Sequence, residues 1–343
     1  MTLADNRVVG FNAAGGAIAN VAGATVAVAH STFIDNEVVG TREAAGGGIA
    51  NDAGSSLTVA HSTFTGNQAI GSDASVGTGV LHLGGGAISN RGGSQTTVSH
   101  STFAGNLARG ADGADGGPAQ NGGDGAHAFG GAISNYNEGF LVAGAGATST
   151  LVVEHTAFTG NQAIGGAGGN GGAGGNGGRA LSGSGGAIFG GFSSTVLVTN
   201  STFTGNQAVG GAGGNGGAGK SGGVGGPGQG GGIANFSSTL SVEHCTFSDN
   251  QGTGGAGGNG GSEANGGAGG PGVGAAINAG VASLTPNLEP TVTVDHSTID
   301  GNQATGGRGG NGGSNGNGGN GGVGAGAAAG LVLTEQRLED GTG

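Results

Sequence analysis

Six histidines stand three residues ahead of a large apolar residue. His30, His61, His100, His155, His244 and His296 precede Phe33, Phe64, Phe103, Phe158, Phe247 and Ile299, and Asn200 takes the same place before Phe203. If the repeats stack, these residues form a column, and a column of imidazoles could bind metal or respond to pH. It brings no converging carboxylates or thiolates with it, so the spacing favours a stacked turn ladder whose imidazoles hydrogen-bond backbone and one another. Carboxylates gather late in the chain. Glu243 and Asp295 share one repeat position on adjacent units, with Asp249 and Asp300 just past the core residues. Such a cluster could hold calcium or supply the acid pair of a glycosidase. A lyase would also want a basic residue beside it, and the only lysine, Lys220, lies in a glycine-rich segment. The expectation is therefore solvated carboxylates, no catalytic residue, no resident metal and no cofactor. Cys245 is the only cysteine, which excludes an intramolecular disulfide and reads as a small buried hydrophobe.

Composition narrows the setting in which these residues work. Of 343 residues 94 are Gly, there is no Trp, and only 8 % are charged. Helix-bundle cores cannot be assembled from this material, and a mixed α/β enzyme is excluded. Collagen fails too, since glycines come as Gly-Gly-X with only 5 Pro. The net charge is −12, and the 8 Lys and Arg are scattered singly, so no basic stripe exists for nucleic acid or anionic lipid. No phosphate loop, nucleophile elbow or HExxH motif occurs. The longest apolar run, near Leu331 to Leu333, is far below the roughly 20 residues that cross a bilayer, and Met1 to Asn20 has no charged segment followed by an apolar one. The chain is expected neither to insert into a membrane nor to carry its own export signal.

Two short motifs alternate and define the elements that must position the histidines. One is GGAI-like, at Ile18, Ile49, Ile88, Ile133, Ile188, Ile233 and Ile277; the other is Ser-Thr-Phe-x-x-Asn, around the core residues named above. From Gly46 to Asn67, from Gly85 to Asn106 and from Gly185 to Asn206 the unit is 22 residues, while extra loops around 136–150 and 279–290 lengthen two others. Between the motifs, Thr25-Val26-Ala27-Val28-Ala29 and Ser56-Leu57-Thr58-Val59 alternate with period two, which predicts strands. Three short strands cannot bury their own apolar face, but rungs stacked about 4.8 Å apart pair both edges and share a core. That is an all-β parallel β-helix of about eight to nine rungs, a single solenoid over 1–333 with a polar tail at 334–343. Leu3 to Asn6 forms a half-rung, and Gly326 to Leu333 a degenerate one. Glycines at the start of GGAI, and the Asn closing the second motif, suit the left-handed and turn conformations of the corners.

Long connecting segments enter at one corner, over 107–129, 162–184, 207–229, 251–273 and 303–325, all of one length. Within them Asp115, Asn170, Asn215, Asn259 and Asn311 align, as do Asn121, Asn176, Ser221, Asn265 and Asn317, at a phase of three. Gly-Gly-X at three residues per turn suits a polyproline-II-like helix with every X on one face. Flexible loops, or recent duplication that copies length without packing, would also give these segments. If ordered, each runs out about 11 residues and returns, spanning roughly 34 Å, and the five stack as a glycine-rich sheet.

The GGAI and FxxN repeats resemble those of chlamydial polymorphic membrane proteins and, more broadly, right-handed β-helices of the pectin-lyase-like superfamily; the glycine stretches resemble mycobacterial PGRS tracts. The resemblance implies a right-handed, secreted or cell-surface protein, a structural or adhesive scaffold without enzymatic activity, whose partners would be glycans or other surface proteins. The same superfamily holds polysaccharide lyases and hydrolases, so a carbohydrate-active enzyme or glycan-binding module is the alternative. A weaker one comes from Thr32, Thr63, Thr102, Thr202, Thr246 and Thr298, with outward pairs such as Thr63 and Thr65. Flat threonine arrays of that kind resemble ice- or crystal-binding β-helices, although Ala157, Ile34, Ala104 and Asp300 interrupt the two columns.

Overall fold

A computed structural model describes residues 1–72, 83–137, 148–280, 289–326 and 329–331. Every regular element among them is a β-strand, and all strand pairs are parallel, in four sheets. One full rung shows the path. Ile49–Asn51 belongs to an eight-stranded Ile sheet; Ser56–Ala60 to a seven-stranded Val sheet; Thr63–Thr65 to an eight-stranded Phe sheet; and Gln68–Gly71 to a fourth sheet that closes the turn. The expected parallel β-helix is the observed fold. Register is strict: Phe64 pairs with Phe103, Ile88 with Ile133 and Val98 with Val153. Both marginal rungs are present, with Leu3 opposite Phe33 and Ala329 opposite Ile277. The tail at 334–343 lies outside the described residues, as do most of the two long loops.

The interior follows from one-residue alternation. Ile49, Leu57, Val59, Phe64 and their counterparts point inward and form one continuous cluster. Six phenylalanines from Phe33 to Phe247 stack with ring centroids 4.5 to 5.1 Å apart, and each is fully buried. The GGAI glycines make the turn and the waist. Gly85 has φ +69°, and a Cβ on Gly86 would lie 2.1 Å from the Gly131 carbonyl oxygen, so no larger residue fits between the Ile sheet and the fourth sheet.

The fourth sheet explains where the inserts leave. In the first two rungs its strand is continuous, Arg7–Ala14 and Glu37–Ala45. Later it is cut into Leu107–Arg109 and Ala128–Phe129, Gln162–Ile164 and Gly183–Ser184, and so on, each piece still paired in register. Every insert therefore opens the middle of the same strand line. Its first three and last two residues belong to that sheet, leaving arms of eight residues: 110–117 outward and 120–127 back in the first insert.

The arms are ordered, not loose. Amides at every third residue donate to the next insert: Gly110 to Ile164, Gly113 to Ala167 and Gly116 to Asn170, all at 2.8 Å. The second glycine of each triplet bonds across to the other layer, Gly123 to Ala114 within one insert and Gly169 to Gly123 between inserts. A turn bond, such as Gln120 N–H to the Gly117 carbonyl, reverses each arm. Outgoing arms thus form one layer, returning arms a second, and X side chains cover both outer faces as a glycine wing beside the solenoid.

Candidate interaction surface

The histidine column marks the turn between the Val and Phe sheets. His30, His61, His100, His155, Asn200, His244 and His296 all have positive φ, between +43° and +52°. Asn and His are among the side chains that tolerate this left-handed conformation best, and that accounts for the one Asn in the column. The rings stack face to face at 4.8 to 5.0 Å, His30 on His61, His61 on His100, His100 on His155, and His244 on His296, with Asn200 interrupting. The ladder is one of ring stacking; among the described residues no imidazole bonds to another. Two of them reach neighbouring carboxylates, His244 Nδ1 to Glu243 at 3.3 Å and His296 Nδ1 to Asp295 at 2.9 Å.

This arrangement divides the late acidic cluster. Glu243 and Asp295 are strand partners, as expected, each turned to its own His. Asp300 pairs with Ser248, while Asp249 lies one residue further on at a turn with φ +55°. The four carboxylates occupy three lines of the surface, Glu243 with Asp295 on one and Asp249 and Asp300 each on another, and no three of them form a metal set. Among the described residues no three His, Cys, Asp or Glu side chains come together as a metal set.

Beneath the histidines runs the line of the serine that opens the Ser-Thr-Phe-x-x-Asn motif. Ser31, Ser62, Ser101, Thr156, Ser201, Cys245 and Ser297 follow the column by one residue. Most hydroxyls accept the backbone N–H one rung back, and each donates to a carbonyl two residues earlier, as Ser62 does to Ala60 at 2.8 Å. Cys245 is a member of this line, its thiol reaching the Glu243 carbonyl at 3.2 Å. It is buried, and burial pushes the thiol up from its ordinary value, which keeps it protonated and unreactive.

The closing asparagines do more than turn the chain. Asn6, Asn36, Asn67, Asn106, Asn161, Asn206, Asn250 and Asn302 form a ladder in which each Nδ2 donates to the next Oδ1 at 2.8 to 3.0 Å. From Asn36 to Asn250 they are fully buried. Each Oδ1 also accepts the N–H of the asparagine one rung back, and from Asn36 onward the second Nδ2 proton goes to the carbonyl of the core residue one rung back, Leu3 for Asn36 and a phenylalanine thereafter, as from Asn67 to Phe33 at 3.0 Å. The left-handed residue at that corner is the preceding one, Gly66, Gly105 or Asp35. A second buried ladder joins Asn20, Asn51, Asn90 and Asn135.

Two side-chain clusters lie outside the repeat. Phe129, Tyr136, Phe189 and Phe192 form a separate buried aromatic group with Phe236 against it. Buried Arg91 pairs with Glu43 and with Asp52, Nε to Oδ2 2.9 Å. Around the interruption of the column a shallow groove of about 470 Å³ opens, lined by His100, Thr102, His155, Ala157, Asn200 and Thr202. No helix among the described residues is long and apolar enough to cross a membrane. The chain matches no family model, no curated protein and no solved structure.

Proposed function

We propose that this chain is a rigid, non-enzymatic scaffold of the cell surface or extracellular space, built to hold an extended adhesive face. The carrying observation is the pair of axial ladders. The Asn6 to Asn302 line, buried from Asn36 to Asn250, ties every rung to the next, and the exposed line from Asp115 through Asn170, Asn215 and Asn259 to Asn311 does the same for the wing. A solenoid and a wing tied along one axis resist bending better than either alone. The stacked repeats also support the likeness to right-handed pectin-lyase-like β-helices and chlamydial surface repeats, and the location is inferred from that likeness. A glycan-binding module is the second reading, favoured by the open groove beside His100, His155 and Asn200.

The test is threefold. Impermeant amine labelling of intact cells should modify the protein at Lys220, which is exposed at a wing tip. Immobilised protein should retain surface glycans or glycoproteins. Incubation with acidic polysaccharides and calcium should release no new chain ends. Calcium-dependent cleavage that disappears in a Glu243→Ala, Asp295→Ala double variant would establish the enzymatic alternative, and absence of labelling on intact cells would remove the surface location.

A further inference from the structure

The wing is rich in Asn-Gly pairs, the dipeptide most prone to spontaneous loss of the side-chain amide. In that reaction the glycine backbone nitrogen attacks the asparagine Cγ and a carbon–nitrogen bond closes a succinimide ring. The Cγ–Nδ2 bond breaks, and ammonia leaves with the proton of the glycine amide. Water then opens the ring to aspartate or isoaspartate. Two groups must be free: the glycine N–H and the asparagine side chain.

In the inner inserts both are held. Asn170 Oδ1 accepts the Asn215 N–H while Gly171 N–H donates to the Asn215 carbonyl. The same double hold, supplied by the following insert, fixes Asn121 with Gly122, Asn176 with Gly177, Asn215 with Gly216, Asn259 with Gly260, and Asn265 with Gly266. In the last insert, over 306–323, the turn pair Asn315–Gly316 keeps a hold on its glycine, whose N–H donates to the Gly313 carbonyl, but at the other three Asn-Gly pairs neither hold exists among the described residues. Asn311, Asn317 and Asn320 offer their side-chain oxygens to no donor, and Gly312, Gly318 and Gly321 donate to no carbonyl. Space confirms the open edge. A Cβ on Gly266 would lie 2.1 Å from the Gly310 oxygen, whereas one on Gly318 meets nothing nearer than 3.6 Å, and one on Gly321 nothing nearer than 3.7 Å.

We propose that Asn311, Asn317 and Asn320 are sites of spontaneous deamidation, and that the hydrogen-bonded wing protects the chemically equivalent Asn-Gly pairs inside it. Each conversion adds a carboxylate to the exposed edge of the layer, raising the negative charge of a chain already at −12.

The full-length protein, aged at 37 °C and mildly alkaline pH, is digested and followed by mass spectrometry with isoaspartate detection. The three outer sites should convert at least about tenfold faster than Asn170, Asn176, Asn215, Asn259 and Asn265, the factor expected when two hydrogen bonds must first open. In denaturant the rates should converge. A Gly318→Ala, Gly321→Ala variant, for which the structure has room, should slow conversion at Asn317 and Asn320 and leave Asn311 unchanged. Equal rates at inner and outer sites of the folded protein would overturn the proposal, as would a difference that persists in denaturant.

Discussion

In the solenoid most rungs turn an Ile, two residues of Val or Leu, and a Phe into a shared interior, whereas the interior of the wing is backbone: glycine Cα atoms and amides, with small residues such as Ala126 and Ala180 near its root. The two regions share the rung spacing and the direction of stacking. They differ in what stabilises them. Burial of apolar area drives the first, at about 25 cal/mol per Å². The wing depends on hydrogen bonds that contribute about 0.5 to 1.5 kcal/mol each, against the large conformational entropy of glycine. Such a layer does not assemble unaided. The strand pieces at its root, Leu107–Arg109 and Ala128–Phe129 among them, are paired in register and fix where each arm leaves and returns. The teaching is one of dependence: loss of the solenoid removes the wing, while loss of the wing leaves the solenoid folded.

Phe103→Ala should have the largest effect and test the first half of that statement. The ring is fully buried between Phe64 and Phe158, and its removal should cost about 3 to 5 kcal/mol. Chemical denaturation followed by circular dichroism would measure it. Amide protection in the adjoining wing, around 110–127 and 165–182, should fall in parallel. A wing that kept its protection in the destabilised variant would break the dependence.

Asn161→Ala comes next. The side chain sits in the dry ladder, where it accepts from Asn106 and donates both to Asn206 and to the Phe103 carbonyl. Removing it strands several buried partners at about 1 to 3 kcal/mol each, part of which relaxation recovers, so a loss of about 2 to 3 kcal/mol is expected. An unchanged denaturation midpoint would show that apolar stacking alone sets rung stability.

Much of this division is legible in the sequence. The Ile and Phe repeats give the solenoid because inward residues recur at fixed spacing, and the Gly-Gly-X phase gives the three-fold arm because the backbone itself demands glycine at two positions of three. The histidine column is equally plain, although its cause, the positive φ at His30 and its counterparts, belongs to backbone geometry. Three features are hidden, in whole or in part, for physical reasons. The strand cut by each insert is masked by its small residues, Ala108 and Ala163 within, which carry no strong apolar alternation. The Ser line is visible as the first residue of the Ser-Thr-Phe-x-x-Asn motif, but its bonding to carbonyls two residues earlier, and the place of Cys245 in it, depend on how the side chains turn at the corner. The cluster of Phe129, Tyr136, Phe189 and Phe192 uses positions whose residue type changes from rung to rung, with Arg91 and Gly191 beside Tyr136, Ser134 and Ala234 beside Phe189, and Gly84 and Ser184 beside Phe129, so no repeat announces it. The acidic residues mislead in the opposite direction, because shared repeat position brings Glu243 beside Asp295 while leaving Asp249 and Asp300 on separate lines.

Gly214→Ala tests the second half of the comparison. Its Cβ would lie 1.9 Å from the Gly169 oxygen, and the contact is backbone on both sides. The layers must part locally at about 1 to 3 kcal/mol. Hydrogen exchange should quicken across 165–182 and 210–227, with the main unfolding transition nearly unmoved. A shift of that transition as large as the one from Phe103→Ala would mean that wing and solenoid unfold as one unit.

The smallest effect sharpens the contrast most, because it repeats the chemistry of Asn161 in the other region. Asn215 bonds to Asn170 through its N–H and Nδ2 and offers its Oδ1 to the Asn259 N–H, a ladder of the same kind. It is exposed on the outer face of the wing, however, and water can replace each partner. Asn215→Ala keeps its backbone bonds, creates no orphaned buried group and should cost only about 0.5 kcal/mol. Measured beside Asn161→Ala by the same denaturation, the pair isolates burial as the variable. Equal losses would mean that the ladders derive their strength from bond geometry, and the wing would then rank with the solenoid core as a source of stability; a several-fold larger loss at Asn161 would place that strength in the exclusion of water.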